Sequence, residues 1–142
     1  RACCCYELMP RILVGSVQDI TSEQPVFVRD GEIEIGVFRL GTEFRAYRNR
    51  CPHQQGPACH GVVTGTLVAT AGSNWNPEWV LDGQVLLCPW HSMEFDLTTG
   101  VRIRGRGERL RAYPVHVIDD QVYVDIGAPG SVVERNTVKA KP

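Results

Sequence analysis

The residues best equipped for chemistry lie in two short segments, Cys51-Pro52-His53 and Cys88-Pro89-Trp90-His91, and thirty-four residues separate His53 from Cys88. A thiolate is a soft, anionic donor, and a neutral imidazole adds a donor without adding charge. Two cysteine-plus-histidine pairs read as a metal site, and the donor set admits either an iron–sulfur centre or a tetrahedral zinc ion. Zinc sites of this composition open with C-x2–4-C, whereas this chain opens with C-x-H, so the spacing favours iron–sulfur. A centre with two thiolates and two neutral imidazoles is less negative than a four-thiolate one, which raises its reduction potential. Proline locks φ and stiffens loops that must hold donor atoms still while the electron count changes.

The other cysteines fit that reading. Cys3, Cys4 and Cys5 fall in residues 1–8, ahead of Met9-Pro10-Arg11; this stretch reads as a vector-derived leader and Met9 as a native start. Cys51, Cys59 and Cys88 remain, an odd number that argues against a disulfide framework and for metal binding. The leader has no apolar core of the kind a secretory signal needs, so a cytoplasmic location is expected. At 142 residues the chain suits one domain, and 43% hydrophobic with 22% charged residues is an ordinary globular composition. A net charge of −1 gives no sign of the basic face that nucleic acid requires. No apolar run approaches the roughly 20 residues that span a bilayer.

The elements that must position the two segments read as strands. Pro25 to Arg29 is short and apolar, and 32–40 alternates charged and apolar residues with the period of a half-buried strand. The Gly41-Thr42 turn and Phe44-Arg45-Ala46-Tyr47 complete a hairpin. Gln84 to Leu87 reads as a short buried strand behind an Asp82-Gly83 turn, and 113–118 with 121–126 as a second hairpin about Asp119-Asp120. No helical stripe is sustained, so the expected class is all-β with antiparallel strands. The stretch 61–83 looks like an insertion, and 127–142 is a polar tail.

The paired motif, with Phe95-Asp96 and Thr99-Gly100 behind it and Asn49 ahead of Cys51, resembles the Rieske-type [2Fe–2S] ferredoxins and the Rieske domains of ring-hydroxylating oxygenases over about residues 12–126. The resemblance implies a Rieske fold over residues 9–142, with a cluster-binding subdomain inserted at about residues 50–104. It implies that Cys51 and Cys88 bind the inner iron of a Rieske-type [2Fe–2S] cluster and His53 and His91 the outer one. It also implies that Asp96 and the Thr99-Gly100 turn support the second loop. Two positions depart from the pattern. Ser92 stands where the family often has glycine, and Trp90 stands where respiratory members carry a disulfide cysteine. Cys59 is thereby left without a disulfide partner, and a potential low in the Rieske range is expected.

The remaining candidates have plainer readings. Cys59 is expected to be a half-buried packing residue, His60 a surface loop residue, and His116 a packed or edge histidine within a strand. With two histidines left, the chain lacks the mononuclear iron site of a complete oxygenase. Arg102, Arg104, Arg106, Arg109 and Arg111 read as a solvated face rather than a docking patch, with the first three alternating as on a strand. Trp75 and Trp79 are expected to pack the insertion. The resemblance thus points to a one-electron carrier between a reductase and a terminal oxygenase, with no substrate site of its own, no nucleic acid and no membrane. The alternative is a small Rieske subunit of a larger enzyme such as a nitrite reductase.

Overall fold

The computed structural model describes residues 10–126; the expected leader and the 127–142 tail lie outside the described residues. Ten strands run in chain order among the described residues: β1 (Arg11–Ser16), β2 (Val26–Asp30), β3 (Ile33–Leu40), β4 (Glu43–Arg48), β5 (Val62–Val68), β6 (Glu78–Leu87), β7 (Glu94–Asp96), β8 (Ala112–Tyr113), β9 (Val115–Ile118) and β10 (Gln121–Asp125). All the pairings between these strands are antiparallel, and helix is limited to three short 3-10 turns among the described residues. The all-β expectation holds. No helix among them is long and apolar enough to cross a membrane. The described residues divide into two compact units, one of residues 10–48 and 111–126, the other Asn49–Leu110.

The first unit holds two sheets, ordered β1-β10-β9 and β2-β3-β4-β8. Their shared core contains Ile35, Val37, Phe44, Ala46, Tyr113, Val115, Val122 and Val124, with Val17 and Ile20 from the link after β1. Alternation explains the membership: Val37 faces Ala46 across β3–β4, while the next residues along, Phe38 and Tyr47, lie on the opposite face with ring centroids 6.4 Å apart. Phe38 and Tyr47 are also buried, so the middle of β3 is covered on both faces where half-burial was expected. The β9–β10 turn has both central residues, Asp119 and Asp120, at positive φ (50° and 62°), the twist that a two-residue hairpin requires. β4 and β8 pair through Ala46–Tyr113 and Tyr47–Ala112, and the Arg48 N–H donates to the Arg111 carbonyl at 2.9 Å. Residues 49 to 110 therefore leave and return at one point of this sheet.

The second unit is built on the meander β5-β6-β7. The expected short strand at 84–87 begins at Glu78, and the apparent insertion is the β5–β6 hairpin itself. The Asp82-Gly83 turn signal is real but makes a bulge, with Leu81 and Gly83 at positive φ (55° and 75°). Between the pairs Thr64–Val85 and Thr66–Val80, residues 81–84 stand opposite Gly65 alone. A Cβ on Gly65 would collide with the Trp79 ring, which lies across it. Trp75 and Trp79 do not pack the interior: they are 70% and 54% exposed, because the hairpin end carries them outward. The arginine run is not a strand either. Only the isolated bridges Phe95–Arg102 and Val101–Arg109 form, and Arg104 and Arg106 lie in the irregular stretch between them.

Candidate metal centre

Both cysteines sit in loops of the second unit, the first beyond β4 and the second directly after β6. The loops share one hydrogen-bond frame. In the first, the Cys51 N–H donates to the Gly56 carbonyl at 2.7 Å and the Gln55 N–H donates back to the Cys51 carbonyl at 2.8 Å. In the second, the Cys88 N–H donates to the Met93 carbonyl at 2.8 Å and the Ser92 N–H to the Cys88 carbonyl at 3.0 Å. The fourth residue after each cysteine is left-handed, Gln55 at φ 62° and Ser92 at φ 52°. Such a frame curls the chain about the sulfur and leaves the intervening histidine facing outward. It also explains the glycine often found where this chain has Ser92, since glycine takes that φ without steric cost.

The donors fall into two pairs. Cys51 and Cys88 are 2% and 0% exposed, and their side chains are within hydrogen-bonding reach of one another. Burial pushes the Cys51 thiol up, the His53 backbone N–H pulls it down, the Cys88 side chain pushes it up again, and the Gln54 N–H pulls it down. N–H groups aimed at a buried sulfur stabilise a thiolate, and a metal cation completes that stabilisation. His53 and His91 are exposed, with ring centroids 4.9 Å apart and planes at 74°. One buried sulfur pair and one exposed imidazole pair suit a two-iron cluster better than a mononuclear zinc shell.

The supports are built into neighbouring chain. Asp96, the last residue of β7, accepts the Thr98 N–H at 2.8 Å and hydroxyl at 2.6 Å on Oδ1, and its carbonyl accepts the Gly100 N–H at 2.6 Å. Asn49 Oδ1 accepts the Cys59 N–H at 2.8 Å and ties the end of the first loop to its start. Trp90 lies over Gly56, where any Cβ would enter the indole ring, so the two cysteine loops meet at that glycine. The positive φ at Gln55 and the Trp90–Gly56 contact went unforeseen, the only hint of the latter being a glycine between Gln55 and Pro57. Cys59 is fully buried rather than half-buried, and no disulfide joins Cys51, Cys59 or Cys88. His60 is exposed on a 3-10 turn, and His116 lies in β9 with Nε2 3.6 Å from the Asp125 carboxylate.

Two antiparallel units, one carrying buried thiols and exposed imidazoles on matched loops, define a Rieske-like electron-transfer fold. The chain belongs to the Rieske [2Fe–2S] domain family, whose model matches residues 11–114. It is 29% identical over 115 residues to the anthranilate 1,2-dioxygenase ferredoxin subunit of Burkholderia cepacia, covering 80% of this chain and 90% of that one. Among solved structures it is similar to a chain in the complex of reduced oxygenase and oxidised ferredoxin of carbazole 1,9a-dioxygenase (TM-score 0.62, 25% identity, 81% of this chain and 92% of that one). It shares its fold with a chain assigned as an NADH-dependent nitrite reductase small subunit from Mycobacterium tuberculosis (TM-score 0.61, 15% identity, 85% of this chain and 98% of that one). The protein is a Rieske-type electron carrier with a [2Fe–2S] cluster as its cofactor.

Proposed function

We propose that Cys51 and Cys88 bind the inner iron, His53 and His91 the outer iron, and that residues 49–110 form the cluster-binding unit of a ferredoxin carrying single electrons from a reductase to an oxygenase. The observation that carries this reading is the pairing of buried thiols with exposed, edge-on imidazoles. When bound, the cluster supplies a one-electron redox couple. The protein does the rest. The cysteine pair and its N–H donors hold charge in the interior, and the matched loop frames keep donor positions fixed as that charge changes. The imidazole edges mark the exit, and exposed Pro52, Pro89 and Trp90 around them can shed water against a partner. The named ferredoxin relative supports an oxygenase as acceptor, whereas the nitrite reductase likeness supports the fold alone.

Anaerobically purified protein should be coloured, contain iron and acid-labile sulfide in equal amounts, and give a Rieske EPR signal on reduction. His91→Cys adds a thiolate and should lower the potential. Colourless protein with stoichiometric zinc would overturn the assignment. An unchanged potential in the cysteine variant would remove His91 from the ligand set.

A further inference from the structure

We propose that the cluster-bearing end of residues 49–110 carries a basic rim, Arg50, Arg106 and Arg109, and that this rim selects a redox partner whose docking surface is acidic. The proposal rests on the electron-carrier reading above. It begins from how the charges of this unit are spent. Arg102 pairs with Glu108 at 3.3 Å, and Arg104 pairs with Glu94 at 3.5 Å while also donating to the Leu67 carbonyl. Asp96 and Asp82 keep their charge while accepting from neutral groups, Asp96 Oδ1 from Thr98 and Asp82 from the Trp79 indole N–H at 3.1 Å on the bulge of β6. Glu78 sits at the opposite end of β6 from Cys88. Neither Arg106 nor Arg109 has an acidic partner among the described residues. Arg50 is joined only to the neutral Gln55 side chain of the first cysteine loop. All three are exposed.

Glu78 and Asp82 lie back along β6 from Cys88, so among the described residues near the cysteine loops Asp96 is the unpaired carboxylate set against three arginines, and the chain ties those arginines to the loops. Arg50 immediately precedes Cys51. The Ile103 N–H donates to the carbonyl of Glu94, three residues past His91, at 2.9 Å. The Glu108 carboxylate then accepts the Arg106 N–H at 2.9 Å and fixes the turn that presents Arg106. Trp90, 57% exposed, lies over Gly56 of the first cysteine loop, and Pro52 and Pro89 are exposed next to the two cysteines. An apolar centre with a charged edge is the layout of a transient interface, and like-signed edge charges steer and select partners of opposite sign. The arginine run therefore divides: Arg102 and Arg104 are structural counterions, Arg111 stacks on the Tyr113 ring, and Arg106 and Arg109 with Arg50 are the docking charges.

The test uses two inorganic probes on the whole protein. Hexacyanochromate(III), a redox-inert paramagnetic trianion, should broaden the amide signals of Arg50, Arg106 and Arg109 and the Trp90 indole N–H. Arg106→Gln/Arg109→Gln should abolish that broadening. Broadening centred elsewhere, or unaltered in the double variant, overturns the rim. In stopped flow, the reduced protein gives one electron to hexacyanoferrate(III), leaving oxidised protein and hexacyanoferrate(II). That rate should fall about fivefold between low and physiological salt, and hexaammineruthenium(III) should show the opposite trend. The double variant should lose most of the salt dependence while keeping the wild-type visible spectrum. Identical salt profiles for wild type and variant would sink the proposal. Protein without the visible band would instead defeat the electron-carrier reading, and the chromium probe still decides the rim.

Discussion

At the residue scale, the division of labour between the donors follows from solvent. Thiolates tolerate burial only against N–H groups and a cation, so the cysteines are placed where backbone amides point inward. Imidazoles carry no charge penalty at the surface and can face a partner directly. Ser92 shows what the frame costs. At φ 52° a β-branched side chain meets its own backbone, so Ser92→Val should destabilise the protein by about 1–2 kcal/mol, whereas Ser92→Gly should hold or improve its denaturation midpoint. Equal midpoints for serine, valine and glycine would show that the left-handed position is not maintained in solution. The four candidate ligands stand out in the sequence because their types and order are unusual. The frame around them does not, because Gln55 and Ser92 are ordinary residues in an uncommon conformation, and nothing in their side chains announces it. Trp75 and Trp79 misled for a related reason: large aromatics normally signal a core, but Trp75 stands at the hairpin end and Trp79 covers a glycine.

Among the elements, the hairpins were readable where turns are two residues long and alternation is clean, as across Asp119-Asp120 and Gly41-Thr42. β6 was not, since its bulge interrupts the alternation with Asp82-Gly83-Gln84 and resembles a chain reversal. The β5–β6 approach that positions Cys88 depends on Gly61, where an added Cβ would strike the Leu87 carbonyl. Gly61→Ala should therefore cost about 2–3 kcal/mol by forcing the backbones apart at the Val62–Leu87 pair, and the variant should retain less iron per chain. Full iron content and an unshifted unfolding curve would contradict that dependence. The stretch 102–108 has its own acid sensitivity. The Glu108 carboxyl is held below its ordinary range by backbone N–H groups, including that of Arg106, and by Arg102. A depressed carboxyl stabilises the fold above its unfolded pKa, and the effect fades as pH falls through the lower folded value. The protection factor of the Arg106 amide, with the intrinsic pH dependence of exchange divided out, should fall only as Glu108 protonates, and Glu108→Gln should show the lower protection already at neutral pH.

For the molecule as a whole, the two units differ in what holds them. The sandwich unit has a continuous aliphatic core from Ile35 to Val124, whereas the second unit places two sulfurs beside its small interior of Val85, Leu86, Phe95 and Leu97. With the proposed ligands, metal binding contributes more to the folding of the second unit than of the first. Removing iron should leave amides of Val37, Val122 and Val124 protected while those of Cys51, Gln55, Cys88 and Ser92 exchange faster, as read by hydrogen exchange. Uniform loss of protection would mean that the chain melts as one cooperative block. The clasp between Arg48 and Arg111 adds a further consequence, since β4 and β8 remain hydrogen-bonded neighbours across everything inserted between them. Residues 49–110, the proposed cluster-binding unit, are thus a cassette inserted between two paired strands. Long loops add closure entropy only slowly, so the host tolerates such a cargo at small cost. Excising 49–110 and closing the gap with Asn-Gly should leave a colourless, foldable β-sandwich, and the same seam offers a place where one lineage's redox cassette could be exchanged for another's.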